Sequence, residues 1–140
     1  MLIEKKIPGK AVPKGRPRFW EGKVITPAST RHYEEHIKEH CKDLPKLEGP
    51  IALMIFVCIE TPKCRQEQVK QPHGRLVQTR PDIDNYIKIY MDALNGIAYD
   101  DDSQIAFVAG VKKYVDEPSH VMLFLADKDE PLDMIYNIHS

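Results

Sequence analysis

The sequence predicts an α+β domain, and three observations carry that reading. One is the continuous apolar, β-rich run PIALMIFVCIE, bounded by Gly49-Pro50 and Thr61-Pro62, which reads as a central buried strand. Another is a pair of segments whose apolar residues recur at helical spacing: Tyr33, Ile37, Cys41, Leu44 in the first and Ile83, Ile87, Tyr90, Met91, Leu94 in the second. The third is the pair of β-rich runs QIAFVAGVKKYV and HVMLFLA separated by the turn sequence DEPS. Two helices packed on a mixed or largely antiparallel sheet follow from these elements.

Taken in order, LIEKKI at residues 2–7 is a short strand candidate. The stretch from Pro8 to Ser29, punctuated by Gly and Pro, reads mostly as loop. Ser29 or Thr30 would cap the first helix and Pro45 would end it. Residues 61–81 form a long polar connection, a length that in a small domain usually signals function or disorder. The second helix is expected from Asp82 to Asn95, stopped by Asn95-Gly96. At 140 residues and 42% hydrophobic content, one domain spanning 1–140 is expected, with 127–140 as a candidate C-terminal extension. No run approaches the roughly 20 apolar residues that span a bilayer, so a cytoplasmic protein without a membrane partner is expected. Three cysteines without a C-x-x-C pair argue against a disulfide framework or zinc ribbon, and Cys41 and Cys58 are expected in the core.

The net charge of −1 conceals segregation. Residues 1–31 hold eight Lys or Arg against two acids, and residues 61–81 hold five against Glu67. Residues 82–102 reverse the sign, with aspartates 82, 84, 92, 100, 101 and 102 against Lys88. Phosphodiester backbones demand cations and divalent metals demand carboxylates, so the alternation suits a metal-using enzyme acting on nucleic acid. A solvated acidic loop is the bland alternative.

Within RPDIDNYIK, Asp82 stands at the helix entrance and Asp84 in the first turn, with Lys88 four residues on. Aspartate is favoured there by capping and the helix dipole alone, so Asp-x-Asp by itself says little. The run Asp100-Asp101-Asp102 is harder to justify as a folding element, because its charges repel one another. Magnesium takes oxygen ligands and keeps several waters, so Asp82, Asp84 and one or two of the run would suffice. Lys88 is either an intrahelical ion pair with Asp84 or Asp92, or a cation for the scissile phosphate.

The ordered elements P-K-G-R-P-R-F, R-P-D-I-D-N-Y-I-K, M-D-A-L-N-G and D-D-D-S-Q resemble the RusA-type Holliday junction resolvases common in prophages. The resemblance implies a homodimeric, magnesium-dependent endodeoxyribonuclease making symmetric nicks in a four-way junction during recombination and repair. It implies Asp82, Asp84 and Asp102 as metal ligands, with Asp101 able to share the third place, and Lys88 as the catalytic lysine. It also turns the K-G-R-P-R element, with Lys14, Arg16 and Arg18, toward DNA, beside Phe19 and Trp20.

Arg80, with Lys63, Arg65, Lys70 and Arg75, forms a second candidate DNA surface. Lys112 and Lys113 point to opposite faces of a strand, so at most one need touch DNA. His32, His36 and His40 share a helical face and are read as an exposed or dimer-facing row rather than a metal site. No Walker sequence is present, so no nucleotide cofactor is expected. The alternatives are a non-catalytic branched-DNA-binding protein, the same metal chemistry on other DNA structures, and a magnesium enzyme acting on nucleotides.

Overall fold

The apolar run that dominates the sequence becomes strand β4 (Ile51–Glu60) and lies inside a four-stranded sheet. The computed structural model describes residues 1–127. Around β4 it builds β1 (Leu2–Pro8), β2 (Arg18–Trp20), β3 (Lys23–Ile25), α1 (Ala28–Cys41), α2 (Ile83–Ala93), β5 (Ile105–Val115) and β6 (His120–Asp127). The main sheet runs β1-β6-β4-β5, with β4 and β5 parallel and the other neighbours antiparallel. The fold is thus α+β with a mixed sheet, as the sequence predicts. Three short 3-10 turns complete it, at Lys63–Arg65, Gln68–Lys70 and Asp102–Gln104.

Strand alternation sends Leu53, Ile55 and Val57 of β4, Val121, Leu123 and Leu125 of β6, and Ile3 and Ile7 of β1 into the core. Both helices cover that face, through Tyr33, Ile37 and Cys41 of α1 and Tyr86, Ile89, Tyr90 and Ala93 of α2. The buried Tyr33 and Tyr90 hydroxyls hydrogen-bond each other between the helices, so neither is left unsatisfied. The other sheet face carries half-buried Met54, Phe56, Met122 and Phe124, with Phe56 and Phe124 edge to face at 5.6 Å. Cys41 and Cys58 are buried and Cys64 is exposed.

Three expectations need correction. The segment after β1 is not all loop: Arg18–Trp20 and Lys23–Ile25 pair as a separate antiparallel hairpin. Its turn residues Glu21 and Gly22 have φ of 51° and 76°, the paired positive values of a type I′ turn that matches strand twist. Helix α1 begins at Ala28, one residue before Ser29 and two before Thr30, with Pro27 in the N-cap position and no side-chain cap. Thr30 Oγ1 instead accepts the Gly15 amide at 2.8 Å, which ties the N-terminal segment to α1.

Strands β5 and β6 are joined at 116–119 but do not pair, because β4 inserts between them. Finally, the buried stripe of α2 is rotated from the one predicted. Tyr86 and Ile89 are fully buried, whereas Ile83 and Ile87 lie at the margin over Gly110, where a Cβ would meet Ile87 Cδ1 at 2.9 Å. The missing side chain at Gly110 lets α2 approach β5 closely. The candidate extension lies outside the described residues apart from Asp127, which ends β6.

Candidate functional site

Helix α2 is held at its N-terminal end by a lysine to which the sequence reading gave no such task. Lys112 of β5 donates from Nζ to the carbonyls of Thr79 and Pro81, both at 2.8 Å, and so fixes the chain immediately before Asp82. Lys113 points the other way, with its ammonium 5.5 Å from the Phe56 ring, as strand alternation predicts. Asp82 then occupies the N-cap position of α2 without making a side-chain capping bond. Both Asp82 and Asp84 are exposed.

Along α2, Asp84, Lys88 and Asp92 follow at intervals of four and share a face. Lys88 is well exposed, at 64% of its side chain, and its only ion pair among the described residues is a long one of 3.9 Å to Asp92. Asp92 is drawn more strongly to Lys14, which bridges Asp92 at 2.9 Å and Glu34 of α1 at 2.8 Å. The resemblance turns Lys14 toward DNA. Its side chain is only 19% exposed, and its amide donates to the Asn85 carbonyl at 2.9 Å, so it ties the N-terminal segment to both helices. Burial opposes its charge, but hydrogen bonds and attraction from Glu34 and Asp92 prevail and raise its pKa.

The aspartate run is organised by Gln104, another residue given no role from sequence. Its Oε1 accepts the amides of Asp100 at 2.9 Å and Asp101 at 3.1 Å, while Nε2 donates to the carbonyls of Gly49 and Leu47 at 3.1 and 3.3 Å. Asp101-x-x-Gln104 is a capping box, a pattern readable in the sequence. The Asp101 carboxylate accepts the Ser103 amide at 3.2 Å, and that hydrogen bond lowers its pKa. Asp100 turns to Lys46 at 2.9 Å. Burial raises the Tyr99 pKa, and the negative charges of Asp102, Asp92 and Asp101 add to the effect; its hydroxyl donates to the Met91 carbonyl at 2.6 Å. Tyr99 thus links the aspartate loop to α2.

The six aspartates therefore divide. Asp92, Asp100 and Asp101 have protein partners, whereas the carboxylates of Asp82, Asp84 and Asp102 have no ion pair or hydrogen bond among the described residues. Among the described residues, no group of three or more His, Cys, Asp or Glu side chains is gathered as a ready-made metal cage. The donor set still fits a hard cation in its chemistry: it is all oxygen, it is unsatisfied, and magnesium uses one or two carboxylates with water and phosphate filling the other positions.

Beside Asp82 lies an open cleft of about 360 Å³ lined by Arg16, Arg80, Pro81, Asp82 and Asn85. The two arginines come from basic segments far apart in sequence and converge next to a free carboxylate. Guanidinium groups suit bidentate phosphate contacts. Arg18 is exposed on β2, next to Phe19 and Trp20, which are also exposed and not in the core. The histidine row packs locally: His36 Nε2 lies 3.0 Å from the Pro8 carbonyl, and the His36 and His40 rings are 4.4 Å apart. None of the three joins a candidate metal cluster among the described residues.

The cleft thus sets two arginines beside the Asp82 carboxylate at the entrance to α2, an arrangement suited in its chemistry to contact with phosphates. The chain belongs to the endodeoxyribonuclease RusA family, whose model matches residues 8–124, and the nuclease class follows from that membership. It is also similar to "Uncharacterized protein YqaN" of Bacillus subtilis (strain 168), 32% identical over 123 residues, covering 79% of this chain and 86% of that protein. No described helix is long and apolar enough to cross a membrane.

Proposed function

We propose that this chain is a magnesium-dependent endodeoxyribonuclease that resolves four-way DNA junctions in the cytoplasm by paired symmetric nicks. The observation that carries the reading is the division of the aspartates: the three without a protein partner, Asp82, Asp84 and Asp102, are the three that the resemblance marks as metal ligands. Magnesium held by these carboxylates supplies a nucleophilic water at neutral pH and charge neutralisation at the phosphate. The protein's own groups do the rest. Arg16 and Arg80 clamp the DNA backbone in the cleft beside Asp82, and Lys88, loosely tied to Asp92, is free to reach the scissile phosphate and stabilise the charge that develops there.

Two symmetric cuts need two active sites, so the reading includes a twofold homodimer. Its test is incubation of the full chain with a synthetic four-way junction and with a linear duplex of the same sequence, each with and without magnesium. Paired nicks in the junction alone, only with magnesium, are expected. Equal cutting of both DNAs would remove the junction from the proposal, and cutting in EDTA would remove the metal.

A further inference from the structure

Four of the eight exposed large hydrophobic residues of the described chain, Phe19, Trp20, Val24 and Ile25, lie on the hairpin β2–β3. Phe19 is 80% exposed, Trp20 67% and Val24 62%. An isolated two-stranded hairpin is marginal in water, and its large apolar side chains face solvent at a cost. The pairing register distributes them over both faces. Phe19 opposes Val24 on one face, while Trp20 opposes Lys23, and Arg18 opposes Ile25, on the other. A flat partner would cover only one of these faces. A partner that surrounds the hairpin covers both.

The base of the hairpin is firmly held. The Gly15 amide bonds Thr30 Oγ1, a Cβ at Gly15 would lie 2.8 Å from both Pro27 Cγ and Thr30 Oγ1, and Lys14 is locked between Glu34 and Asp92. The charge around it is cationic: Arg16, Arg18 and Lys23 against Glu21 at the turn. Arg16, two residues before β2, lines the cleft at Asp82, so the segment that leads into the hairpin also borders the candidate active site. Cations interleaved with aromatics match a strand whose phosphates and base faces are both accessible.

We propose that β2–β3 is a base-stacking element that enters the open centre of a branched DNA. Phe19 and Trp20 stack on unpaired or end-exposed bases to either side, and Arg18 and Lys23 contact the flanking phosphates. The proposal rests on the DNA-cleaving reading above and specifies which part of the substrate is recognised.

Trp20 is the single tryptophan of the chain, so its emission reports the contact directly. The experiment titrates the full chain, with calcium in place of magnesium, with a labelled synthetic four-way junction and with a matched linear duplex. Binding is followed by label anisotropy and stacking by Trp20 emission. The expected result is strong quenching by the junction and little by the duplex. Phe19→Ser and Trp20→Ser each weaken junction binding by about tenfold or more, leave duplex binding unchanged, and keep the wild-type circular dichroism spectrum; Trp20→Phe binds nearly as wild type. Saturable junction binding without a change in emission, or serine variants that bind as wild type, overturns the hairpin's role and leaves the nuclease reading standing. Binding of neither DNA overturns both. A fall from dimer to monomer mass in Phe19→Ser overturns the proposal in favour of a contact between two copies.

Discussion

Lys14→Met removes the ammonium that joins Glu34 to Asp92 while keeping most of the side chain's apolar stem. Two charge-assisted hydrogen bonds are lost, at 2.8 and 2.9 Å, from a lysine that is 19% exposed. Such bonds contribute about 1.5 to 3 kcal/mol each. The sum is reduced because both carboxylates keep some access to water and Asp92 can draw Lys88 closer than its present 3.9 Å. A net loss of about 2 to 3 kcal/mol follows, or roughly 6 to 9 °C in Tm for a domain of this size. The assay is thermal unfolding of wild type, Lys14→Met, Asp92→Asn and the double variant. A coupling of at least about 1 kcal/mol between the two sites is expected.

The pH dependence has a definite sign. The Lys14 pKa is raised above its ordinary value of 10.5, so its contribution is fully present below that pH and is lost as pH rises through the folded value. The Tm gap between wild type and Lys14→Met should stay constant from neutral pH to about 10 and close above it. A loss below about 0.5 kcal/mol, or strict additivity with Asp92→Asn, would refute the bridge.

Three further outcomes follow from the same structure. Lys112→Met, which frees the Thr79 and Pro81 carbonyls, should lower the nicking rate by about tenfold or more through misplacement of Asp82 while DNA affinity changes little; an equal fall in affinity would assign Lys112 to DNA contact instead. Gln104→Leu should cost about 2 kcal/mol in denaturant unfolding and speed hydrogen exchange at the Asp100 and Asp101 amides; unchanged exchange at those amides would show that Gln104 does not hold the loop. With a thiol reagent at pH 8, one equivalent should react in the native protein, at exposed Cys64, and three after denaturation, because Cys41 and Cys58 are buried and burial raises the Cys41 pKa to about 11. Fast reaction of two or three thiols in the native state would contradict the packing.

Those elements whose burial pattern is simple were legible in the sequence. β4 is apolar along its length because it is central, and α2 begins at Ile83 because Arg80-Pro81-Asp82 supplies both the proline and the cap position. The stripe of α2 was misread because the helix packs against α1 as well as the sheet, so Tyr86 and Ile89 are buried beside Tyr90. The hairpin was hidden by the surrounding Gly and Pro, although Arg-Phe-Trp and Lys-Val-Ile separated by Glu21-Gly22 is a two-residue turn pattern.

For the site, the sequence marked the acidic residues but not their supports. Lys14 reaches Glu34 20 residues away, Lys112 reaches Pro81 and Thr79 31 and 33 residues away, and Gln104 reaches Gly49 and Leu47 55 and 57 residues away. No local pattern announces those contacts, although the capping box of Asp101 and Gln104 is readable in the sequence. What separates Asp82, Asp84 and Asp102 from Asp92, Asp100 and Asp101 is which cation or amide folding brings to each.

The central claim is that those three carboxylates, and not the acidic segment as a whole, support cleavage. The direct measurement is the initial rate of junction nicking in magnesium for six variants, Asp→Asn at positions 82, 84, 92, 100, 101 and 102. Loss of about a hundredfold or more is predicted at 82, 84 and 102, with near wild-type rates at Asp100→Asn and Asp101→Asn. Asp92→Asn should fall between, because it frees Lys14 and Lys88 together. Full activity in Asp84→Asn, or equal losses at all six positions, would contradict the account.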